Sequence, residues 1–179
     1  TARSAYEAAE YAVLETDGPF ETRRYPDLMF AATGSQFDAQ GEDGSFMRLF
    51  RYIDGANAGS EKIAMTVPVF MDNAAGSDRG EMAFVLPSDA SEATIPAPTS
   101  EKVWIREQPG GQFAVVRFSG RLTAETAAQA EQELRVWMDT NGLAGEDDSM
   151  CAGYDPPWTP GPLRRNEVLI RLHEPIEES

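Results

Sequence analysis

Residues 23–31, RRYPDLMFA, return 83 positions later as REQPGGQFA, residues 106–114, pairing Arg23 with Arg106, Pro26 with Pro109, Phe30 with Phe113 and Ala31 with Ala114. Outward from this stretch the same offset holds. YAVLET (11–16) and FETRRY (20–25) read as a hairpin around Asp17, Gly18 and Pro19, followed by a third extended run, LMFAATGSQF (28–37). Phe46, Leu49, Phe50 and Ile53 fall at i, i+3, i+4 and i+7, which predicts a helix from Gly44 that stops at Gly55 and Asn57. KIAMTVPVF (62–70) and MAFVLP (82–87) read as two more strands.

The second copy keeps this order. VWIRE (103–107) and QFAVVRFSG (112–120) read as a hairpin around Pro109, Gly110 and Gly111. A long helix opens at a Thr123 N-cap, carries Ala127, Ala130, Leu134, Trp137 and Met138 as its apolar stripe, and closes at Asn141 and Gly142. SMCAGY (149–154) and NEVLIRL (166–172) complete the copy. A constant offset across every element implies an internal duplication. The expectation is one domain over residues 1–179, with pseudo-repeats at about 11–87 and 101–173 joined by a linker near 88–100. Strands before and after each helix predict an α+β fold of two β-α-β-β halves, with antiparallel sheet packed against two helices.

Composition bounds the function. A hydrophobic fraction of 41% and nine phenylalanines supply a core, and the longest mostly apolar run, Ile63 to Met71, is about half of what a bilayer requires. Thirty acids against thirteen arginines and two lysines, Lys62 and Lys102, give a net charge of -15. That field repels phosphate backbones and anionic surfaces, so neither nucleic acid nor membrane insertion is expected. One cysteine, Cys151, allows no internal disulfide. The chain begins at Thr1 without methionine, which is compatible with a removed export segment, so the compartment, cytoplasmic or periplasmic, stays open.

Three further segments are distinctive in combination: DGPFETRRYP (17–26), GSEKIAMTVPV (59–69) and AGYDPPWTPGPLRRNEVLI (152–170). With them the chain, from Tyr11 to Pro175, resembles the SOUL haem-binding protein family. The resemblance implies an open distorted barrel of antiparallel strands with two helices, a fold shared with effector-binding domains of bacterial drug-responsive regulators. It also implies haem or another tetrapyrrole bound in an apolar cleft beside the first helix.

On that reading Phe46, Leu49, Phe50 and Ile53 are the expected apolar wall, with Met65 and Val67 contributing from the adjacent strand. Arg48 and Arg51 border the helix stripe and are the candidates for the propionates, since guanidinium and carboxylate pair bidentately. Met47, Met65 and Met71 offer soft sulfur near an iron. The sole histidine, His173, sits at the end of the last strand, where a side chain ordinarily faces water, so no strong histidine ligation is expected. Arg164 and Arg165 are expected to anchor the YDPPW loop through carboxylates. Pro68 cannot donate to a sheet ladder and is expected to bend its strand or blunt an edge.

Catalytic chemistry is thin. Cys151 and His173 lack the local signature of a dyad, GEDDS (145–149) lacks calcium-loop spacing, one histidine with one cysteine cannot build a zinc site, and GANAGSEK (55–62) is not a phosphate loop. No catalytic residue, no metal site and no enzyme activity are expected. The alternative to a tetrapyrrole binder is an effector-binding or protein-interaction module for a different flat hydrophobic ligand. A hydrolase using Glu131 or Glu133 is a further possibility.

Overall fold

The structure, a computed structural model, describes residues 6–36, 43–72, 80–91, 93–156 and 158–174. Phe37 of the expected third run, Pro157 of the YDPPW motif and Pro175 lie outside the described residues. Among the described residues the strands are β1 (Glu7–Ala8), β2 (Ala12–Asp17), β3 (Phe20–Tyr25), β4 (Leu28–Gly34), β5 (Thr66–Val67), β6 (Val69–Asp72), β7 (Glu81–Val85), β8 (Val103–Gln108), β9 (Gly111–Phe118), β10 (Met150–Gly153) and β11 (Asn166–Arg171). The helices are α1 (Ser45–Ile53) and α2 (Ala124–Thr140). Nine strands join in one curled, open half-barrel in the order β2-β3-β9-β11-β10-β6-β7-β4-β8, and β1 pairs with β5 in a separate two-stranded ladder.

The duplication is written into this order. Exchanging β3 with β8, β4 with β9, β6 with β10 and β7 with β11 reverses the list from β3 to β8 onto itself. A pseudo-twofold axis therefore passes between β6 and β10, which pair antiparallel as Val69↔Gly153 and Asp72↔Met150. Each half runs β-β-α-β-β, one strand more than the β-α-β-β order read from the sequence. β2 lies outside the repeat. It forms the expected hairpin with β3 across Gly18, whose φ of 58° suits a residue without Cβ.

Two strand assignments need correction. The expected hairpin of VWIRE with QFAVVRFSG does not form: β8 pairs with β4, while β9 pairs with β3 and β11. The halves exchange their first strands, and β3 lies between β2 and β9 with both edges hydrogen-bonded. The linkers 26–27 and 109–110 then cross so closely that a Cβ on Gly110 would lie 2.4 Å from the Tyr25 carbonyl oxygen, and the Gly110 N–H donates to Asp27 Oδ1 at 2.7 Å. Only glycine fits that approach. The second correction concerns KIAMTVPVF, which is not one strand. It divides at Pro68 into β5 and β6, which belong to different sheets, and residues 63–65 are irregular.

Alternation on the strands separates two cores. Ala114, Val116, Cys151, Val168 and Ile170 meet Leu134 and Met138 of α2, while Ala31, Met82 and Phe84 meet Leu49, Tyr52 and Ile53 of α1. The opposite face, without helices, is filled by Phe30, Phe70, Phe113, Val115 and Leu169, with Phe30 and Phe70 stacked at 5.4 Å. The barrel interior is thus occupied by the chain's own side chains.

Both helix starts are fixed locally. At α1, Gly44 has φ 84° and the Asp43 carboxylate accepts the Ser45 N–H at 2.9 Å. At α2 the Thr123 hydroxyl accepts the Thr126 N–H at 3.1 Å while Thr126 Oγ1 accepts the Thr123 N–H at 2.9 Å, a reciprocal cap. Thr123→Ala is expected to cost about 1 kcal/mol, measured as a fall in the urea midpoint without change in slope.

Candidate functional site

The strand order leaves a depression on the helix-bearing face where β6 meets β10. It is a cleft of about 440 Å³, within the range of small-molecule sites. Val69 and Met71 of β6, Met82 of β7 and Gly153 of β10 form its floor, Phe46 of α1 and Leu122 before α2 wall it, and Arg121, Asp155, Arg164 and Asn166 provide polar groups. Phe46 is held by an edge contact to Phe84 at 5.2 Å and by Phe50 at 6.3 Å. Two arginines against one aspartate make the lining cationic, in a chain whose net charge is -15.

The loop from Tyr154 to Arg165 forms the far wall and is tied down. Gly120 N–H donates to the Gly161 carbonyl at 2.9 Å, Asn166 Nδ2 donates to the Gly120 carbonyl at 2.8 Å, and Arg164 Nε donates to the Thr159 carbonyl at 2.8 Å. Trp158, 74% exposed, and Leu163 stand out from the same loop.

Beneath this loop lies a charge network whose central pair is closed to water. Arg23 and Glu167, both with 0% exposure, form a bidentate pair at 2.8 and 2.6 Å, and Arg23 Nε also reaches Glu21 at 2.7 Å. Arg165 donates to the same Glu167 at 2.9 Å and to the Tyr11 hydroxyl at 2.8 Å, and its guanidinium lies 3.9 Å from the Tyr154 ring centre. Its backbone N–H donates to Asp155 Oδ2 at 2.5 Å. Burial alone would raise the Glu167 carboxyl, but the hydrogen bonds and charges of Arg23 and Arg165 outweigh it and hold it below the usual range. Burial pushes the Tyr25 phenol up to about 12 and raises the Cys151 thiol well above its ordinary value. Cys151 is therefore a packed core residue and not a nucleophile.

The expected site residues separate around α1. Of these residues Phe46 lines the cleft, as does Met71 of the expected sulfur donors. Leu49 and Ile53 are buried in the core, and Met47 and Phe50, 44% and 39% exposed, form an apolar ledge on the helix surface. Arg48 and Arg51 line a different, smaller pocket. Met65 packs partly buried against the helix-side core, whereas Val67 belongs to the opposite core. Arg165 anchors the loop as expected, while Arg164 also faces the cleft. His173 is exposed, its N–H bonded to the Ala144 carbonyl. Arg121, Leu122, Gly153, Asp155 and Asn166 were not anticipated as lining. The signal was present for three of them, since Gly153, Asp155 and Asn166 lie in the quoted 152–170 motif.

A family model described as SOUL heme-binding protein matches residues 6–171. The chain belongs to this family. It is 30% identical to heme-binding protein 1 of Xenopus laevis over 163 residues, covering 86% of this chain and 84% of that one. To heme-binding protein 1 of Mus musculus it is 33% identical over 129 residues, 69% of this chain and 67% of the other. In fold it is similar to the EcmrR C-terminal domain, with TM-score 0.60, 13% identity and coverage of 92% and 99%. It is likewise similar to a hydrolase from Listeria innocua, with TM-score 0.61, 11% identity and coverage of 89% and 94%. No helix among the described residues is long and apolar enough to cross a membrane.

Proposed function

We propose that this protein binds haem or a related tetrapyrrole, without catalysing a reaction on it, in the cleft between α1 and the 154–165 loop. The observation that carries the reading is an apolar floor and wall, Phe46, Val69, Met71, Met82 and Leu122, rimmed by two guanidinium groups in a strongly acidic chain. Membership of a haem-binding family supports the same ligand class. Arg121 and Arg164 take the propionates in this reading, the role first expected of Arg48 and Arg51.

A volume of about 440 Å³, an apolar floor and two guanidinium groups support a flat pigment with an acidic edge as the guest. Burying about 300 Å² of apolar ring contributes roughly 7 kcal/mol, against an association cost of at least ~4 kcal/mol. Two charge-assisted contacts add about 2 kcal/mol each, giving a Kd on the order of 10 μM. Among the described residues the cleft lining contains neither histidine nor cysteine, and its only soft donors are the weak thioethers of Met71 and Met82, so in this reading affinity comes from the ring and its carboxylates more than from the iron. When bound, haem would supply its own iron chemistry. The chain's residues bind the ring, orient its acidic edge and shield one face from water.

Titration of the unmodified protein with haem, followed by its Soret band, is expected to saturate at micromolar concentration. Metal-free protoporphyrin is expected to compete with comparable affinity, and Arg121→Glu with Arg164→Glu to weaken both ligands by at least about tenfold. An unsaturable Soret change, or affinity indifferent to the double reversal, would remove the proposal. Binding of other flat hydrophobes with no response to either tetrapyrrole would favour the effector-module reading.

A further inference from the structure

On the other flank of α1 lies a second pocket, of about 130 Å³, between the helix and the segment following Pro96. Successive helical residues are rotated by roughly 100°. Phe46 therefore looks toward the tetrapyrrole cleft, while Arg48, Arg51 and Tyr52 look away from it toward Thr99 and Ser100. Among the described residues no aspartate or glutamate lines this pocket, although acids outnumber bases two to one in the chain.

The two arginines are unlike most others in the molecule. Arg23, Arg106, Arg117, Arg135, Arg165 and Arg171 each lie within 4.0 Å of a carboxylate. Arg48 is oriented by neutral acceptors instead, donating from Nε to Thr33 Oγ1 at 2.9 Å and from its second terminal nitrogen to the Gly34 carbonyl at 2.8 Å. Thr33 is itself fixed, donating to the Lys102 carbonyl at 2.7 Å. These bonds hold the guanidinium in place, and it has no carboxylate partner among the described residues. Arg51, one turn further along, makes no side-chain hydrogen bond or ion pair among the described residues. The geometry is that of a clamp with one rigid and one adjustable cation, beside two hydroxyl-bearing residues on a loop.

We propose that this pocket binds a phosphate-sized oxyanion, either inorganic phosphate or the phosphoryl group of a small phosphomonoester. The volume is too small for a tetrapyrrole, and a planar guanidinium pair matches tetrahedral oxyanions through paired N–H donors. The inference is independent of the tetrapyrrole reading, because the two sites share no lining residue.

Phosphorus NMR of inorganic phosphate and of glycerol 3-phosphate, titrated with protein at constant ionic strength in chloride, tests it. Saturable broadening or shift of at least one signal is expected. Preference for the monoester identifies a phosphorylated small molecule, and equal response identifies the free ion; either supports the site. Arg51→Gln, on an exposed side chain that holds nothing else in place, is expected to weaken binding at least about tenfold, and Arg24→Gln, on exposed β3 surface, to leave it unchanged. No saturable signal overturns the proposal, as does equal loss in both variants. So does a haem affinity that falls in Arg51→Gln while phosphate binding persists, because the arginines would then serve the pigment. Failure of haem binding with phosphate binding intact would overturn only the tetrapyrrole reading.

Discussion

Glu167→Gln is expected to destabilise the protein by about 3–5 kcal/mol, read from urea unfolding, because it deprives the fully buried Arg23 and the partly buried Arg165 of their shared counter-charge. Arg23 is bound to Glu167 through both terminal nitrogens, and Arg165 reaches the same carboxylate from the loop side. The duplication supplies an internal control. Arg106 on β8 pairs with Glu81 on β7 at 2.5 Å, two strands apart, as Arg23 on β3 pairs with Glu167 on β11. That second pair keeps side-chain exposures of 32% and 16%, so Arg106→Gln is expected to cost no more than about 1 kcal/mol.

Acid adds a second readout. The folded Glu167 carboxyl titrates below its ordinary value of 4.5, so its contribution is complete above that pH and is lost as pH falls through the folded value. The wild-type protein should lose stability there more steeply than Glu167→Gln. Equal stability of the variant and the wild type at neutral pH would contradict the network as the clamp beneath the loop.

Gly153→Leu is expected to reduce haem affinity by more than about tenfold while leaving the fold intact, measured by Soret titration beside a thermal melt. Gly153 forms part of the cleft floor, and the nearest atom to an added Cβ is a Leu122 methyl at 3.9 Å, an ordinary contact. Its backbone is not in the left-handed region, so a side chain is accommodated without strain. The leucine then fills the space assigned to the pigment. Unchanged affinity in a folded variant would place the ligand elsewhere.

Much of the fold was legible because duplication repeats its signals. The 83-residue offset carries β3 onto β8 and β4 onto β9, and both helices start near where capping and periodicity indicate. What the sequence hid was partnership. VWIRE and QFAVVRFSG are adjacent in the chain and carry a turn signal, yet nothing local says that each prefers a strand of the other copy. The crossing of the two linkers, with Gly110 against Tyr25, is a tertiary fact.

The site was less legible for the same reason. Helical spacing marked Phe46, Leu49, Phe50 and Ile53 as one stripe, but packing divides it into core and rim, and a spacing rule cannot say which half of an apolar face a sheet will cover. Arg23 and Arg106 were aligned by the repeat without a role, because their carboxylates lie in segments remote in sequence. Gly153 and Arg121 come together only when β6 and β10 meet at the axis.

That axis has a consequence for stoichiometry. A feature away from a twofold arises in pairs, and divergence must then erase one copy, as at Arg48, whose counterpart under the 83-residue shift is Glu131. A feature astride the axis arises once. The cleft straddles the β6–β10 joint, so among the described residues each polypeptide has a single such recess, and the proposed binding has an expected stoichiometry of one guest per chain, however alike its two halves remain.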